Sequence, residues 1–219
     1  MNPPESFQSL HEEAEWLVLR YFPRLGPELV SLFLKEGKLL TVEPQSTLIR
    51  EGQYIKVIPV VLRGLVKVSI TSDVKEFLLY YIEAKESCIM SFAAGLHNDP
   101  SRVTAVAEEE SLLLLLPTEQ VKQWTETYPA FNKLFMELFD QRYQDLLQNI
   151  QLVLFHNLDD RLLHYLQERG QHTHRAVIDL SHRRIAQDMG TAREVITRTL
   201  QRLEMEGKIR QKNDGIELI

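Results

Sequence analysis

The segment Leu180–Leu203, LSHRRIAQDMGTAREVITRTLQRL, constrains the fold more tightly than any other part of the chain. It reads as two short helices meeting at a tight turn. Ser181 suits an N-cap, because its hydroxyl can accept an otherwise orphaned backbone N–H. Ile185 and Met189 come next at i, i+4 spacing, and Gly190 closes the helix where a left-handed residue is needed. Ala186 is small where a second helix would cross closely. That second helix starts near Ala192 and runs toward Glu206, with Ile196, Leu200 and Leu203 on its buried face. Arg193, Glu194, Thr197 and Arg198 are left on the solvent face of its first two turns. Arginine can bond guanine O6 and N7 in bidentate fashion, and glutamate can accept from cytosine N4. The pattern is that of a helix-turn-helix whose second helix enters a major groove. The competing reading is an αα-hairpin with a solvated charged face.

The residues after the second helix favour the helix-turn-helix. Gly207 ends that helix, and Lys208-Ile209-Arg210-Gln211-Lys212 alternates polar with apolar residues. Asn213, Asp214 and Gly215 predict a turn, and Ile216–Ile219 a return strand. Lys208, Arg210 and Lys212 would lie on one side of this two-stranded wing, suited to phosphate contact. Ser181, His182 and Arg183, at the start of the first helix, are the other candidate phosphate contacts, helped by free backbone N–H groups.

Charge is distributed to match. The whole chain carries −6, yet Ser181–Lys212 holds eight Arg or Lys against four Asp or Glu, leaving −10 for the rest. A positive reading head on an acidic body can bind DNA while discouraging unspecific adsorption. The length of 219 residues allows two small domains or one large one. Cys88 is the only cysteine, so neither an intramolecular disulfide nor a four-cysteine zinc or iron–sulfur site can form within one chain. The N-terminus has no basic region leading into an apolar core, and the apolar run Leu112–Leu116 is far too short to span a bilayer. A cytoplasmic protein without a membrane partner is expected.

Upstream, Glu13–Tyr21 and Pro27–Leu34 predict two helices. From Lys38 to Leu116 the texture changes to short β-like runs: LLTVE, STLIREGQ, VIPVVLRG, LVKVSIT, EFLLYYIE and SLLLLLP. Their spacing suggests an all-β sandwich or roll, with Gly52 and Gly64 at turns. Pro59 marks an edge strand or a bulge. Thr118–Glu126 predicts a short helix broken near Tyr128-Pro129, and a long helix runs from about Ala130 to Phe155. On it Met136, Phe139, Tyr143, Leu146, Ile150 and Val153 alternate by three and four residues, the seam expected of a parallel homodimer. A second stripe, Leu134, Leu138, Leu147 and Leu154, is expected to pack on the β domain. Burial of both faces within one chain is the alternative. Asn157 caps a new helix with Asp159 and Asp160 in its first turn and Leu162, Leu163 and Leu166 inward. Gln171–Arg175 reads as a polar loop and Ala176–Leu180 as a short strand.

A β-roll, a long dimerising helix and a C-terminal winged helix-turn-helix together resemble the cyclic-AMP receptor protein/FNR (CRP/FNR) family of bacterial transcription regulators. That receptor protein is itself a standard example of the motif. The resemblance covers nearly the whole chain from Lys38 onward. It is carried by STLIREGQ, Leu62-Arg63-Gly64, Lys75–Tyr81 and, most closely, by GTAREVITRTLQRLE. It implies an α+β chain: an N-terminal β-roll of the cyclic-nucleotide-binding-like jelly-roll kind with flanking helices, a long dimerisation helix and a C-terminal winged helix-turn-helix. The expected domains are a sensor over 1–129, a connecting helix over 130–156 and a DNA-binding domain over 157–219. By the same match Arg193, Glu194 and Arg198 correspond to the side chains that usually reach base edges.

The departures concern the effector. Cyclic-nucleotide binders of the family carry a Gly-Glu pair for the ribose hydroxyl and an Arg-Ser pair for the cyclic phosphate. Here Ile89-Met90 stands at the first pair. Near the second, Pro100-Ser101-Arg102 holds an arginine one or two residues out of register. Met90, Ser101 and Arg102 are therefore the candidate effector-pocket residues, and cyclic AMP is not the expected ligand. Arg102 is either a displaced anion contact or a solvated loop arginine. FNR-type oxygen sensing needs several cysteines, which the chain lacks. Haem would need axial ligands such as Cys88, His97 or His11, none within a local motif. Cys88, in an apolar segment, reads as a small core residue. His172 and His174 are weak as a metal tract, and no metal site is expected. No Ser-His-Asp order, phosphate-cradling glycine loop or HExxH pattern points to an enzyme. The expected function is a homodimeric regulator binding palindromic double-stranded DNA, with RNA polymerase a candidate partner. Two alternatives stay open: a ligand-independent regulator whose roll is only a dimer scaffold, and a haem or small-molecule sensor.

Overall fold

Ser9 accepts a hydrogen bond from the Glu12 N–H and so starts α1 (Leu10–Tyr21) a few residues earlier than hydrophobic spacing alone suggests. A 3-10 turn (Pro23–Leu25) leads into α2 (Gly26–Glu36), which buries Leu29, Val30 and Phe33. The strands β1 (Lys38–Val42), β2 (Thr47–Ile49), β3 (Val57–Arg63), β4 (Val66–Ser72) and β5 (Lys75–Ile82) come next. Then come α3 (Ile89–His97), β6 (Thr104–Ala107), β7 (Ser111–Pro117), α4 (Thr118–Thr127) and the 27-residue α5 (Pro129–Phe155). The chain ends with α6 (Leu158–Thr173), β8 (Val177–Ile178), α7 (His182–Asp188), α8 (Arg193–Met205), β9 (Ile209–Lys212) and β10 (Gly215–Leu218). The computed structural model describes residues 7–72, 75–173, 176–212 and 214–219. His174 and Asn213, singled out from sequence, lie outside them.

The chain divides into two units, one formed by residues up to Lys67 with Ile82–Arg142, the other by Val68–Tyr81 with Tyr143–Ile219. In the first, β7 is the centre of an antiparallel sheet ordered β1-β7-β3. Its run of leucines is buried along most of its length, as a strand covered on both faces requires. Leu113 faces Leu40 on one side and Val61 on the other. Pro59 lies on β3, an edge strand in this sheet, where a missing N–H leaves no ladder bond unmade, and the register shifts between Val61 and Arg63. β2 pairs with β6. Gly64 turns the chain at φ +103°, and a Cβ there would fall 2.2 Å from the Ser111 hydroxyl, so only glycine fits. Phe33 stacks on Trp124 with centroids 5.0 Å apart and meets Phe131 edge-on at 5.9 Å.

Two elements of this unit were not visible as such in the sequence. α3 begins at the Ile89-Met90 position with Cys88 as its fully buried N-cap, and β6 comes after the Pro100–Arg102 segment. Glu86 and Arg142, both buried, form an ion pair of 2.5 Å, and Gln141 Nε2 donates to the same carboxylate at 2.9 Å. The second leucine stripe of α5 is covered only in its first half. Leu134 and Leu138 are half-buried, whereas Leu147 and Leu154 are 38% and 67% exposed, correcting the expectation that all four pack inward.

In the second unit Leu162, Tyr165, Leu166, Ile185, Ile196, Leu200, Leu203, Ile209 and Ile216 form one apolar cluster, against which Leu78 of β5 packs. Phe77 forms an antiparallel bridge with Met189, and Asn149 donates to the Leu79 carbonyl at 2.8 Å. The wing is a three-stranded sheet ordered β8-β10-β9. The predicted polar loop at Gln171 is instead the last turn of α6, which continues to Thr173 and ends with the Thr173 hydroxyl donating to the Arg169 carbonyl.

Candidate nucleic-acid interface

α8 is fixed from behind. Ile196, Thr199, Leu200 and Leu203 are buried, and α7 lies across them through Ile185 and Ala186. Gly190 takes φ +63° in the turn between the two helices, the conformation the sequence demanded of it. Beneath the turn the Tyr165 hydroxyl donates to Asp188 at 2.8 Å, and Arg184 stands 3.4 Å from the same carboxylate. Burial above all, reinforced by Tyr81 and the Asp188 carboxylate, pushes the Tyr165 phenol well above its usual range, so it stays a donor.

With the back of α8 held, its front is set. Arg193, Glu194 and Arg198 are exposed at its N-terminal end, and no side chain caps the helix. Arg198 Nε reaches the Glu194 carbonyl at 3.4 Å. Among the described residues, none of Arg183, Arg193 and Arg198 is paired with a carboxylate. Thr197 differs from its neighbours. It is half-buried, donates to the Arg193 carbonyl at 3.0 Å and lies 3.0 Å from His182 Nδ1, so it ties α7 to α8. Ser181 caps α7, its hydroxyl accepting from the Arg184 N–H at 3.2 Å, and Arg183 beside it is exposed.

The wing cations are placed otherwise. Lys208 pairs with Glu206 at 2.7 Å, and Glu217 receives both Lys212 at 2.9 Å and Arg210 at 3.6 Å. The hydrogen bond to Glu206 holds the Lys208 ammonium above its ordinary range. Gln211 donates its backbone N–H and its side-chain amide to Glu204 at 2.7 and 2.8 Å, which fastens the wing to α8 and keeps that carboxyl below its ordinary range. Arg202, further along α8, pairs with Asp159 at 2.7 Å.

Met136, Phe139, Tyr143, Leu146, Ile150 and Val153 are all exposed, between 45% and 59%. Of the effector-pocket candidates, Met90 is half-buried on α3 and Arg102 is exposed. Ser101 is buried, and its hydroxyl is engaged within the loop, donating to the Val103 carbonyl at 2.9 Å and accepting from the Val103 N–H at 3.2 Å. Beyond the Glu86–Arg142 pair, the missed buried polar residues include Lys67 and Ser91. Lys67 on β4 is 2% exposed, and the Ser91 hydroxyl in the first turn of α3 is fully buried with no hydrogen-bond partner among the described residues. The alternation of LVKVSIT puts Lys67 and Ser69 on one face of β4, and that was the signal available for the lysine. Nothing in the sequence marked Ser91, because α3 was not foreseen. The described residues contain no cluster of three or more metal-ligating side chains and no helix long and apolar enough to cross a membrane.

Residues 39–128 match the cyclic nucleotide-binding domain family, and residues 160–219 match the Crp-like helix-turn-helix domain family. The chain belongs to the CRP/FNR family. It is a DNA-binding transcription regulator of the CRP/FNR type, α+β in class. Solved structures of similar fold include a transcriptional regulator assigned to the crp/fnr family from Eubacterium rectale, with TM-score 0.80 and 24% identity over 91% of this chain and 94% of that one. The c-di-GMP responsive global regulator CLP of Xanthomonas campestris superposes with TM-score 0.78 and 17% identity, covering 88% and 99% of the two chains. A mutant of CooA from Carboxydothermus hydrogenoformans gives TM-score 0.66 and 19% identity over 86% and 85%. At these identities the likeness is one of fold. Comparison with curated proteins returns no match.

Proposed function

We propose that this CRP/FNR regulator acts as a homodimer on an inverted-repeat site, each subunit laying the N-terminal half of α8 in a major groove. The observation that carries this reading is the contrast within one small domain. Arg193, Glu194 and Arg198 stand exposed on a helix whose other face is buried, and among the described residues neither arginine meets a carboxylate. Arg193 reads guanine, Glu194 accepts from cytosine N4, and Arg198 contacts a base or phosphate. Thr197 keeps the helix in register through His182. Ser181, His182 and Arg183 hold the phosphate backbone at the start of α7, with Lys208, Arg210 and Lys212 tracking it along the wing.

The exposed stripe from Met136 to Val153 supports the dimer, since a soluble monomer rarely leaves a long apolar helix face open. Two-fold symmetry then sets half-sites about one helical turn, ~10 bp, apart. The effector is not cyclic AMP: Ile89-Met90 offers no carboxylate for a ribose, and the Ser101 hydroxyl is engaged with Val103. Selection of bound sequences from a random DNA pool tests the core of the reading. A palindromic consensus is expected, and enrichment of sequences without dyad symmetry would refute the dimer on DNA. In a thermal-shift titration, stabilisation by micromolar cyclic AMP would refute the statement about the pocket.

A further inference from the structure

The N-terminal unit contains a cleft in which the DNA-reading surface has no part. It has a volume of about 590 Å³ and lies between the 3-10 turn and the first half of α5. That falls within the ~300–1,000 Å³ usual for small-molecule sites. Its apolar wall includes Phe22, Leu25, Leu134 and Leu138. A second, smaller void of about 30 Å³ shares Phe22, Lys85, Leu134 and Leu138 with it and is otherwise lined almost wholly by aliphatic and aromatic side chains.

The charges around the cleft are unbalanced. Glu86 is neutralised by Arg142 at 2.5 Å, and Glu137 is met by Arg24 at 3.5 Å. Lys85 and Lys133 remain, and neither makes an ion pair among the described residues. Lys85 carries a second anomaly. Its φ is +73°, in the left-handed region that disfavours an ordinary side chain and that glycine adopts freely. A lysine thus stands where glycine would relieve the backbone, and its side chain lines both the cleft and the smaller void. Backbone strain of this kind recurs at ligand-binding positions.

We propose that this cleft binds a small amphipathic carboxylate, of the class of medium-chain fatty acids. The apolar body lies along Phe22, Leu134 and Leu138, and the carboxylate faces Lys85 and Lys133. Such binding is independent of how the protein reads DNA.

The strain at Lys85 supplies the test. Lys85→Gly removes the charge while relaxing the backbone, so the variant folds at least as well as the parent. Decanoate is titrated into the full-length protein, with calorimetry and tryptophan emission as readouts. Trp124 stacks on Phe33, which lines the smaller void, and so reports on it. Saturable binding is expected. Lys85→Gly and Lys133→Gln should each weaken it about tenfold, Leu138→Trp should abolish it by filling the cleft, and decanol should bind far more weakly than decanoate. Absence of saturable binding would overturn the proposal. So would equal affinity for decanol, or affinity unchanged in the two lysine variants, since either outcome would mean adsorption away from the cleft.

Discussion

The front of α8 and the wing carry similar numbers of cations but hold them differently. On α8, Arg193 and Arg198 meet no carboxylate among the described residues, and the helix beneath them is anchored by four buried side chains. On the wing, Lys208, Arg210 and Lys212 each lie within ion-pair distance of a glutamate. The local excess of positive charge in the sequence therefore overstates what is available to a phosphate backbone and understates how concentrated it is. Specific readout requires unpaired groups on a rigid support, whereas a wing whose cations are already neutralised must exchange one partner for another and gains less.

The largest effect comes from removing the support. Leu200→Ala should cost about 2–5 kcal/mol in urea unfolding, as expected for a fully buried leucine, and should abolish binding by α8 and wing alike. A much smaller loss would mean that α8 is less firmly held than its burial indicates. Next, Arg193→Ala should weaken the best DNA site by ~1–3 kcal/mol and relax preference at one base position. A mutant as selective as the parent would remove Arg193 from the readout. Tyr165→Phe leaves Asp188 without its phenol donor and should cost about 1 kcal/mol. The same variant carries a pH signature. The folded phenol titrates above its unfolded value near 10, so the unfolded chain loses its proton first and stability falls as pH rises beyond ~10. Tyr165→Phe should flatten that alkaline decline, as measured by denaturant midpoints across pH. The smallest effect sharpens the comparison most directly. Glu217→Gln releases Arg210 and Lys212, so affinity for random-sequence DNA should rise slightly and its salt dependence steepen. An unchanged salt slope would show that the wing stays off the backbone.

Most of the reading head was legible because every level of the sequence agreed: a cap at Ser181, a left-handed glycine at position 190, and a 3-4 spacing at Ile196, Leu200 and Leu203. The role of Thr197 was not, since a threonine on the exposed side of a helix gives no sign that a histidine on the neighbouring helix will reach it. The strands of the β domain were legible as runs, and Pro59 marked its own edge. α3 escaped notice because its sequence, IMSFAAGLH, is apolar on nearly all sides and has no polar side-chain cap, so no period stands out. The half-covered leucine stripe of α5 shows the converse difficulty. Spacing reveals that a face is apolar, but where a neighbouring element stops covering it is a tertiary fact.

The pairing of β1 with β7 has a consequence for the order of events in folding. Lys38 meets Leu115 and Val42 meets Ser111, so this sheet joins strands from opposite ends of its domain. The helix-turn-helix and the β9–β10 hairpin join segments adjacent in the chain. Contacts between distant segments pay a larger loop-closure entropy and form more slowly. After dilution from denaturant, the α7–α8 pair and the wing hairpin should therefore form before the β1–β7 pairing.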